Sequence, residues 1–282
     1  MLSARQIAKS LLPELCVDIL KSMELYRNAH GVFPNLILPK TFSEKVVHRS
    51  LFDNRPVLSQ FADKFAVRAY VAERLGSEVL PKLYWVGDNP ADIPFESLPR
   101  QFVIKPTHGA GWIEFVRDKS TLQQDRLIAT CRDWLSRNFY EVARERFYKD
   151  IPRRIIVEEL LDDGAGRVPA DHKFFVFHGK VKLVASVYDR FNANHGYMCD
   201  REWNAVSVRL RPSAKKVSYP PPKNWHALVE AAETLGRGVD FVRADFYDTP
   251  NGIYFGELTN TPGAGLLPFC PNSFDRYLGS LW

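Results

Sequence analysis

The segment FVIKPTHGAGWIEFV, residues 102 to 116, limits the possible folds more than any other stretch of the chain. A lysine leaves an apolar strand at 105, a small loop from Thr107 to Gly111 follows at once, and a second strand begins with no helix between. Such a loop can cradle phosphate, because Gly109 and Gly111 let backbone N–H groups approach oxygen atoms with no Cβ in the way. It is not a Walker loop, since G-x-x-x-x-G-K-[ST] is absent, nor a dinucleotide fingerprint, since no helix follows. Taken alone, a plain β-hairpin turn explains the segment equally well.

The surrounding pattern is mixed. Residues 1 to 60 read as helical, with Leu12, Leu15, Ile19, Met23 and Tyr26 on one face. That stripe is expected to pack on its own domain, because the opposite face is not rich in Lys or Arg; contact with a membrane surface is the alternative. A second helix is expected over 61 to 75, ended by Gly76. Short β-rich runs follow, LPKLYWVG, the segment above and RRIIVEELL, with a helix near 121 to 138 between the last two. In KFFVFHGKVKLVASVYDR, 173 to 190, His178 and Gly179 supply a tight hairpin turn. The polar stretch from 191 to about 222 reads as a surface loop, a candidate lid. A helix from about 224 to 235 and two further strands close the chain. The fold class is α+β.

Those two last strands carry the second chemical signal, RADFYDTPNGIYFGELTNTPG. Asp245 and Glu257 lie at similar distances from the DTPNG turn on adjacent antiparallel strands, so both carboxylates can face one side. Two acids in an apolar strand pair are costly unless neutralised, and magnesium held between them and ATP phosphates would do so. A salt bridge to Arg243 or a neighbouring lysine is the plain alternative. Between the two segments, RRIIVEELL ends in Glu158 and Glu159. It reads as an edge strand offering backbone groups to adenine, or as a solvated strand end with two surface acids.

Whole-chain properties narrow the setting. With 282 residues, 45% hydrophobic and 25% charged, the chain can bury a proper core in one large domain or a few lobes. The net charge of +5 is spread along the length, whereas nucleic-acid binders concentrate theirs in a stripe, so no nucleic-acid partner is expected. Cysteines 16, 131, 199 and 270 form no C-x-x-C pair, which speaks against a disulfide framework or thiolate zinc site and fits a reducing cytoplasm. Glu14 and Asp18 interrupt the first thirty residues, so neither a signal peptide nor a transmembrane segment is expected there.

The order Lys105 with its glycine loop, Glu158-Glu159-Leu160, Asp171-His172-Lys173, Asp189-Arg190, Asp245 and GELTNTPGAG resembles the ATP-grasp superfamily, in particular its TupA-like branch, named for teichuronopeptide biosynthesis. TFSEKV at 41 to 46 and ADKFAVRAYVAERLG at 62 to 76 are similar to that branch too, so the resemblance runs from about residue 40 onward. It implies two α+β lobes clamping ATP: a helical segment over 1–60, an N-terminal lobe over 61–158, and a C-terminal lobe over 159–282 with the metal site. By the same resemblance Lys64 and Lys105 would bind ATP phosphates, with His108, Gly109, Ala110 and Gly111 closing over them. Glu158, Glu159 and Leu160 would form the adenine hinge. Lys173 and Arg190 would hold the transferred phosphoryl group or the acceptor, and Asp245 and Glu257 would hold Mg2+. Many ATP-grasp enzymes read E-x-N at the second metal position, where this chain has Glu257-Leu258-Thr259-Asn260; Thr259 takes the asparagine's place unless a bulge brings Asn260 round. His108, His172 and His195 show no metal-ligand spacing, and the first two are expected to be structural or to touch phosphate.

The activity implied is an ADP-forming carboxylate–amine ligase working through an acyl phosphate. Its partners would be ATP, a sugar acid or amino acid, and an amine, in cell-surface polysaccharide formation. A small-molecule kinase would use the same ATP site. A glycan-modifying glycosyltransferase would usually show D-x-D, which is absent, and a silent nucleotide binder would have lost the charged set.

Overall fold

The computed structural model describes residues 13–188, 195–209 and 219–282. Helix α1 (Glu14–His30) leads into α2 (Phe42–Phe52), α3 (Pro56–Ala62) and α4 (Ala66–Leu75). Strands β1 (Leu83–Gly87), β2 (Phe102–Pro106) and β3 (Glu114–Val116) precede α5 (Gln124–Ser136), the single turn α6 (Tyr140–Ala143) and β4 (Ile155–Glu158). Then come β5 (Asp171–Phe177), β6 (Lys180–Tyr188), β7 (His195–Cys199), α7 (Trp225–Leu235), β8 (Phe241–Thr249), β9 (Gly252–Thr259) and α8 (Ser273–Ser280). The strands form two antiparallel sheets, ordered β1-β4-β2-β3 and β7-β6-β5-β8-β9. The α+β class is as expected, and no described helix is long and apolar enough to cross a membrane.

Each sheet is held by its own core. In the four-stranded sheet Phe102, Ile104, Ile155 and Val157 pack on Leu127 and Cys131 of α5. In the five-stranded sheet Phe174, Val176, Val242 and Phe246 meet Leu228 and Leu235 of α7, together with Phe61 and Val71 from α3 and α4. The opposite face is split along its length. Phe175, Phe177 and Phe241 pack on Phe42 of α2 and Leu278 of α8. Asp171, Lys173, Arg243 and Asp245, two residues on in the same alternation, carry the charge.

Several expectations change. Residues 61–79 were expected in the N-terminal lobe, but Phe61, Val67, Tyr70, Val71 and Val79 bury their side chains in the core of the five-stranded sheet. The helix expected over 61 to 75 is two helices, because the Asp63 carboxylate accepts the N–H groups of Phe65 and Ala66 and restarts the chain there. Strand β4 is an interior strand between β1 and β2, not an edge. Within 191 to 222, read as one loop, residues 195 to 199 extend the second sheet as β7; 191–194 and 210–218 lie outside the described residues. The buried face of α1 is Asp18, Ser22 and Tyr26 while Leu15 is exposed, because the Tyr140 hydroxyl and the Arg146 guanidinium bind the Asp18 carboxylate at 2.5 and 2.8 Å. Leu12 of the expected stripe lies outside the described residues. The His178-Gly179 turn forms as expected, with both φ angles positive.

Candidate functional site

A cleft of about 1220 Å3, open mouth included, lies between the two sheets. One part of its wall is apolar, with Val103, Phe115, Leu160, Leu161, Val168 and Phe255. Another part is charged, with Lys64, Lys105, Glu158, Lys173, Asp245 and Glu257.

From the four-stranded sheet, Lys105 at the end of β2 places its Nζ 2.6 Å from a Glu158 carboxylate oxygen, and Arg68 of α4 approaches the other oxygen at 2.5 Å. Glu158 is therefore a buried counter-ion for two cations, a pairing that occupies its carboxylate and leaves open the backbone groups expected of the hinge. Past the strand end, Glu159 is tied to Lys82 by its N–H and its carboxylate, and Leu160 lines the apolar wall.

The restart at Asp63 leaves Lys64 outside both helices. Its N–H donates to Thr107 O and its Nζ donates to Gly109 O, so it is fastened to the glycine loop. Burial pulls this ammonium down to about 8, opposed by the Glu257 carboxylate. Gly111 has φ +76, and a Cβ on Gly109 would come within 2.7 Å of the Trp112 ring, so both glycines are required by the loop's shape. Ala110 lines the inner end of the cleft. His108 does not: it is buried against α5, with Nε2 3.1 Å from Trp134 O, and burial lowers its pKa. This corrects its placement among nucleotide-contacting residues.

From the five-stranded sheet, Asp245 and Glu257 face each other across β8 and β9, with a bulge just beyond Asp245. Arg243 donates to Asp245 at 2.7 and 2.6 Å and to Glu257 at 2.6 Å. Lys173 bridges Asp171 at 2.5 Å and Asp245 at 2.7 Å. Both arrangements read from the strand pair thus coexist, opposed carboxylates and a salt bridge to Arg243. Burial pushes Glu257 up, but Arg243, Lys173 and Lys64 together hold its carboxyl well below the usual range. Thr259 donates its hydroxyl to Glu257 at 3.0 Å and shares its face. Asn260 is buried on the other side, with its amide donating to Leu58 O at 2.7 Å, so it does not reach the carboxylate pair. His172 points to the opposite face of β5, where it meets Ser186 Oγ at 2.8 Å and burial lowers it to about 4. Arg190 lies outside the described residues.

Three groups escaped the sequence reading as site residues: Arg68, Asp171 and Arg243. Arg68 follows Lys64 by four residues, and Asp171 precedes Lys173 by two on one strand face; those spacings were the available signals.

Two antiparallel sheets thus close on a cleft with an apolar wall and a cluster of lysines beside paired carboxylates. The chain belongs to the TupA-like ATPgrasp family, whose model matches residues 44–282. No curated protein matches it. Among solved structures it is similar to D-alanine–D-alanine ligase from Bacillus anthracis complexed with ATP, at 15% identity and TM-score 0.43 over 73% of this chain and 56% of that one. It is also similar to the ATP-grasp ligase PsnB complexed with minimal precursor, at 12% identity and TM-score 0.43 over 85% of this chain and 69% of that one. D-alanine–D-alanine ligase from Helicobacter pylori matches at 15% identity and TM-score 0.40 over 79% and 61%. The chain thus spans between 56% and 69% of the length of these proteins.

Proposed function

We propose that this protein is an ADP-forming carboxylate–amine ligase that binds ATP between its two sheets. The observation that carries the reading is the one cleft in which Lys64, Lys105 and the glycine loop stand with Lys173, Asp245 and Glu257, the two carboxylates being paired from behind by Arg243. The apolar wall near Leu160 suits an adenine ring, and the charged wall suits a triphosphate.

Asp171, Asp245 and Glu257 stand beside three cations, Lys173, Arg243 and Lys64, and among the described residues no group of three or more His, Cys, Asp or Glu side chains is arranged to hold a metal by itself. Asp245 and Glu257 nevertheless offer the hard carboxylate oxygens that Mg2+ takes, and the ATP phosphates would supply the rest. Asp245 and Glu257 would hold it, with Thr259 bracing Glu257. Bound there, magnesium supplies charge neutralisation at the phosphate oxygens of ATP.

In the reaction, a carboxylate oxygen of the acid substrate attacks the γ-phosphorus and the bond to the β-phosphate oxygen breaks, releasing ADP and leaving an acyl phosphate. An amine then attacks the acyl carbon, loses a proton, and phosphate departs. Lys105 and Lys64 hold the phosphates, while Lys173 and Arg243 stabilise the charge that spreads over the moving phosphoryl oxygens. Arg190, two positions past the end of β6 in the sequence, is the further candidate for the acceptor. By the family resemblance we place the acid among sugar acids and amino acids and the product in cell-surface polysaccharide formation inside the cytoplasm.

The test is nucleotide turnover with magnesium and a panel of uronic acids, amino acids and amines, for wild type, Lys105→Ala and Glu257→Ala. ADP and free phosphate that appear only with an acid and an amine together, and vanish in both variants, support the ligase. Phosphate retained on the acceptor would make it a kinase, and absence of nucleotide binding would remove the proposal.

A further inference from the structure

The loop joining α1 to α2 exposes a cluster of large apolar side chains. Val32, Phe33, Ile37 and Leu38 are 61%, 56%, 89% and 67% exposed, so four of the ten exposed large hydrophobic side chains among the described residues fall within seven positions. Two side chains, Asn35 in the loop and Glu44 in the first turn of α2, satisfy part of its backbone. Asn35 Oδ1 accepts from the N–H groups of Ile37 and Leu38 at 3.2 and 2.9 Å. The Glu44 carboxylate accepts from those of Asn35, Lys40 and Thr41 at 3.0, 2.9 and 3.0 Å. Pro34 and Pro39 have no N–H to satisfy. The loop is anchored from below by Leu36, which packs with Tyr26, Val47 and Leu51.

The N–H groups of Asn35, Ile37 and Leu38 are satisfied within the protein, which lowers the cost of moving this part of the loop out of bulk water.

The loop itself carries no acidic residue, although Glu24 and Glu44 bound it in the sequence and Asp275 acts on His30. Residues 25 to 43 contain no Asp or Glu, while Arg27, His30 and Lys40 flank the apolar tip, and the Arg27 guanidinium stands 5.2 Å over the Phe33 ring. Glu44 lies just beyond, its carboxylate occupied by three backbone donors.

We propose that the loop from Val32 to Leu38 inserts its apolar tip into the headgroup region of an anionic lipid bilayer, with Arg27 and Lys40 meeting the lipid phosphates. Basic residues beside shallowly inserting Phe, Ile and Leu side chains are the usual chemistry of such contacts. The surface is independent of the ATP cleft, so the inference stands apart from the ligase reading.

The test is sedimentation of the full chain with vesicles of phosphatidylglycerol and phosphatidylcholine, and with phosphatidylcholine alone. Wild type is expected to partition onto the anionic vesicles and to be released by salt. Phe33→Ser, Ile37→Ser and Leu38→Ser combined should lower that partition by about tenfold or more. Arg27→Gln with Lys40→Gln should erase the preference for anionic lipid. A thermal melt of each variant, expected to match wild type because the replaced side chains are exposed, separates lost binding from lost folding. Equal binding by the triple serine variant overturns the proposal, as does no binding by wild type. A wild-type dimer that the triple variant converts to monomer, without vesicle binding, would assign the loop to a second copy of the chain.

Discussion

Glu158→Gln tests whether Glu158 is a structural counter-ion. The Glu158 side chain is 5% exposed and pairs with Lys105 at 2.6 Å and Arg68 at 2.5 Å, both cations being 16–17% exposed. Glutamine keeps the shape but removes the charge, leaving two largely buried cations facing a neutral amide. Breaking a buried pair by removing one partner costs about 3–5 kcal/mol, and the residual exposure of the cations places this site near the lower end. The variant should therefore lose about 3 kcal/mol in urea unfolding at pH 7. Adding Lys105→Met removes one of the stranded cations, so the double variant should be more stable than Glu158→Gln alone, a coupling of neighbours that a double-mutant cycle reads directly. Nucleotide affinity should fall in the single variant as well, because Lys105 loses the group that orients it. Stability within about 0.5 kcal/mol of wild type, with only nucleotide affinity reduced, would refute the counter-ion assignment.

Two further outcomes follow from buried ionisable groups. Lys64 sits at about 8 because of burial, and a triphosphate beside it would raise that value, so nucleotide binding at pH 8 should take up a proton and weaken at higher pH. Calorimetry in buffers of different ionisation enthalpy should show the uptake in wild type and not in Lys64→Met; identical heats for wild type in all buffers would exclude it. Glu145, whose carboxylate accepts from the Thr261 hydroxyl, is pushed up to about 7 by burial from an ordinary 4.5. The folded state thus holds this proton where the unfolded state has lost it, so the stability it confers is complete below 4.5 and is lost as pH rises through 7. Glu145→Gln should remove that decline, on the order of 3 kcal/mol, from unfolding free energies measured across the interval. An unchanged slope would show that Glu145 is ionised throughout.

What the sequence disclosed was local. The opposition of Asp245 and Glu257 could be read because two strands joined by a short turn fix their own register, and side chains alternate. The hairpin at His178-Gly179 was legible for the same reason. What it concealed depends on partners distant in the chain. Nothing in RRIIVEELL says that β1 and β2 flank it, so an interior strand read as an edge and the cations that meet the Glu158 carboxylate did not show. Asp18 lies on the buried side of α1 because Tyr140 and Arg146, more than a hundred residues away, receive it. His108 points into α5 rather than the cleft, and no loop composition fixes which way a side chain leaves a turn. Strand β7 is five residues long, and its pairing with β6 is its only regularity.

The charge pairing in the cleft bears on why a metal should accompany the nucleotide. Among the described residues Lys105 is held by Glu158, Lys173 by Asp171 and Asp245, and Arg243 by Asp245 and Glu257, whereas Lys64 is held by a backbone carbonyl. A triphosphate entering this site competes with carboxylates for the same cations. Attraction to each lysine is then offset by the carboxylate it leaves behind, so exchanging partners gains little by itself. The exchange becomes favourable if the released carboxylates find a new counter-charge, and Asp245 and Glu257 face the cleft together where a divalent cation could serve both them and the phosphate oxygens. Lys64 is the exception that draws the phosphate in: its Nζ is tied to a backbone carbonyl, the Glu257 carboxylate acts on it without a direct ion pair among the described residues, and burial holds it at about 8. On this account nucleotide affinity should depend on magnesium more steeply than on any one lysine.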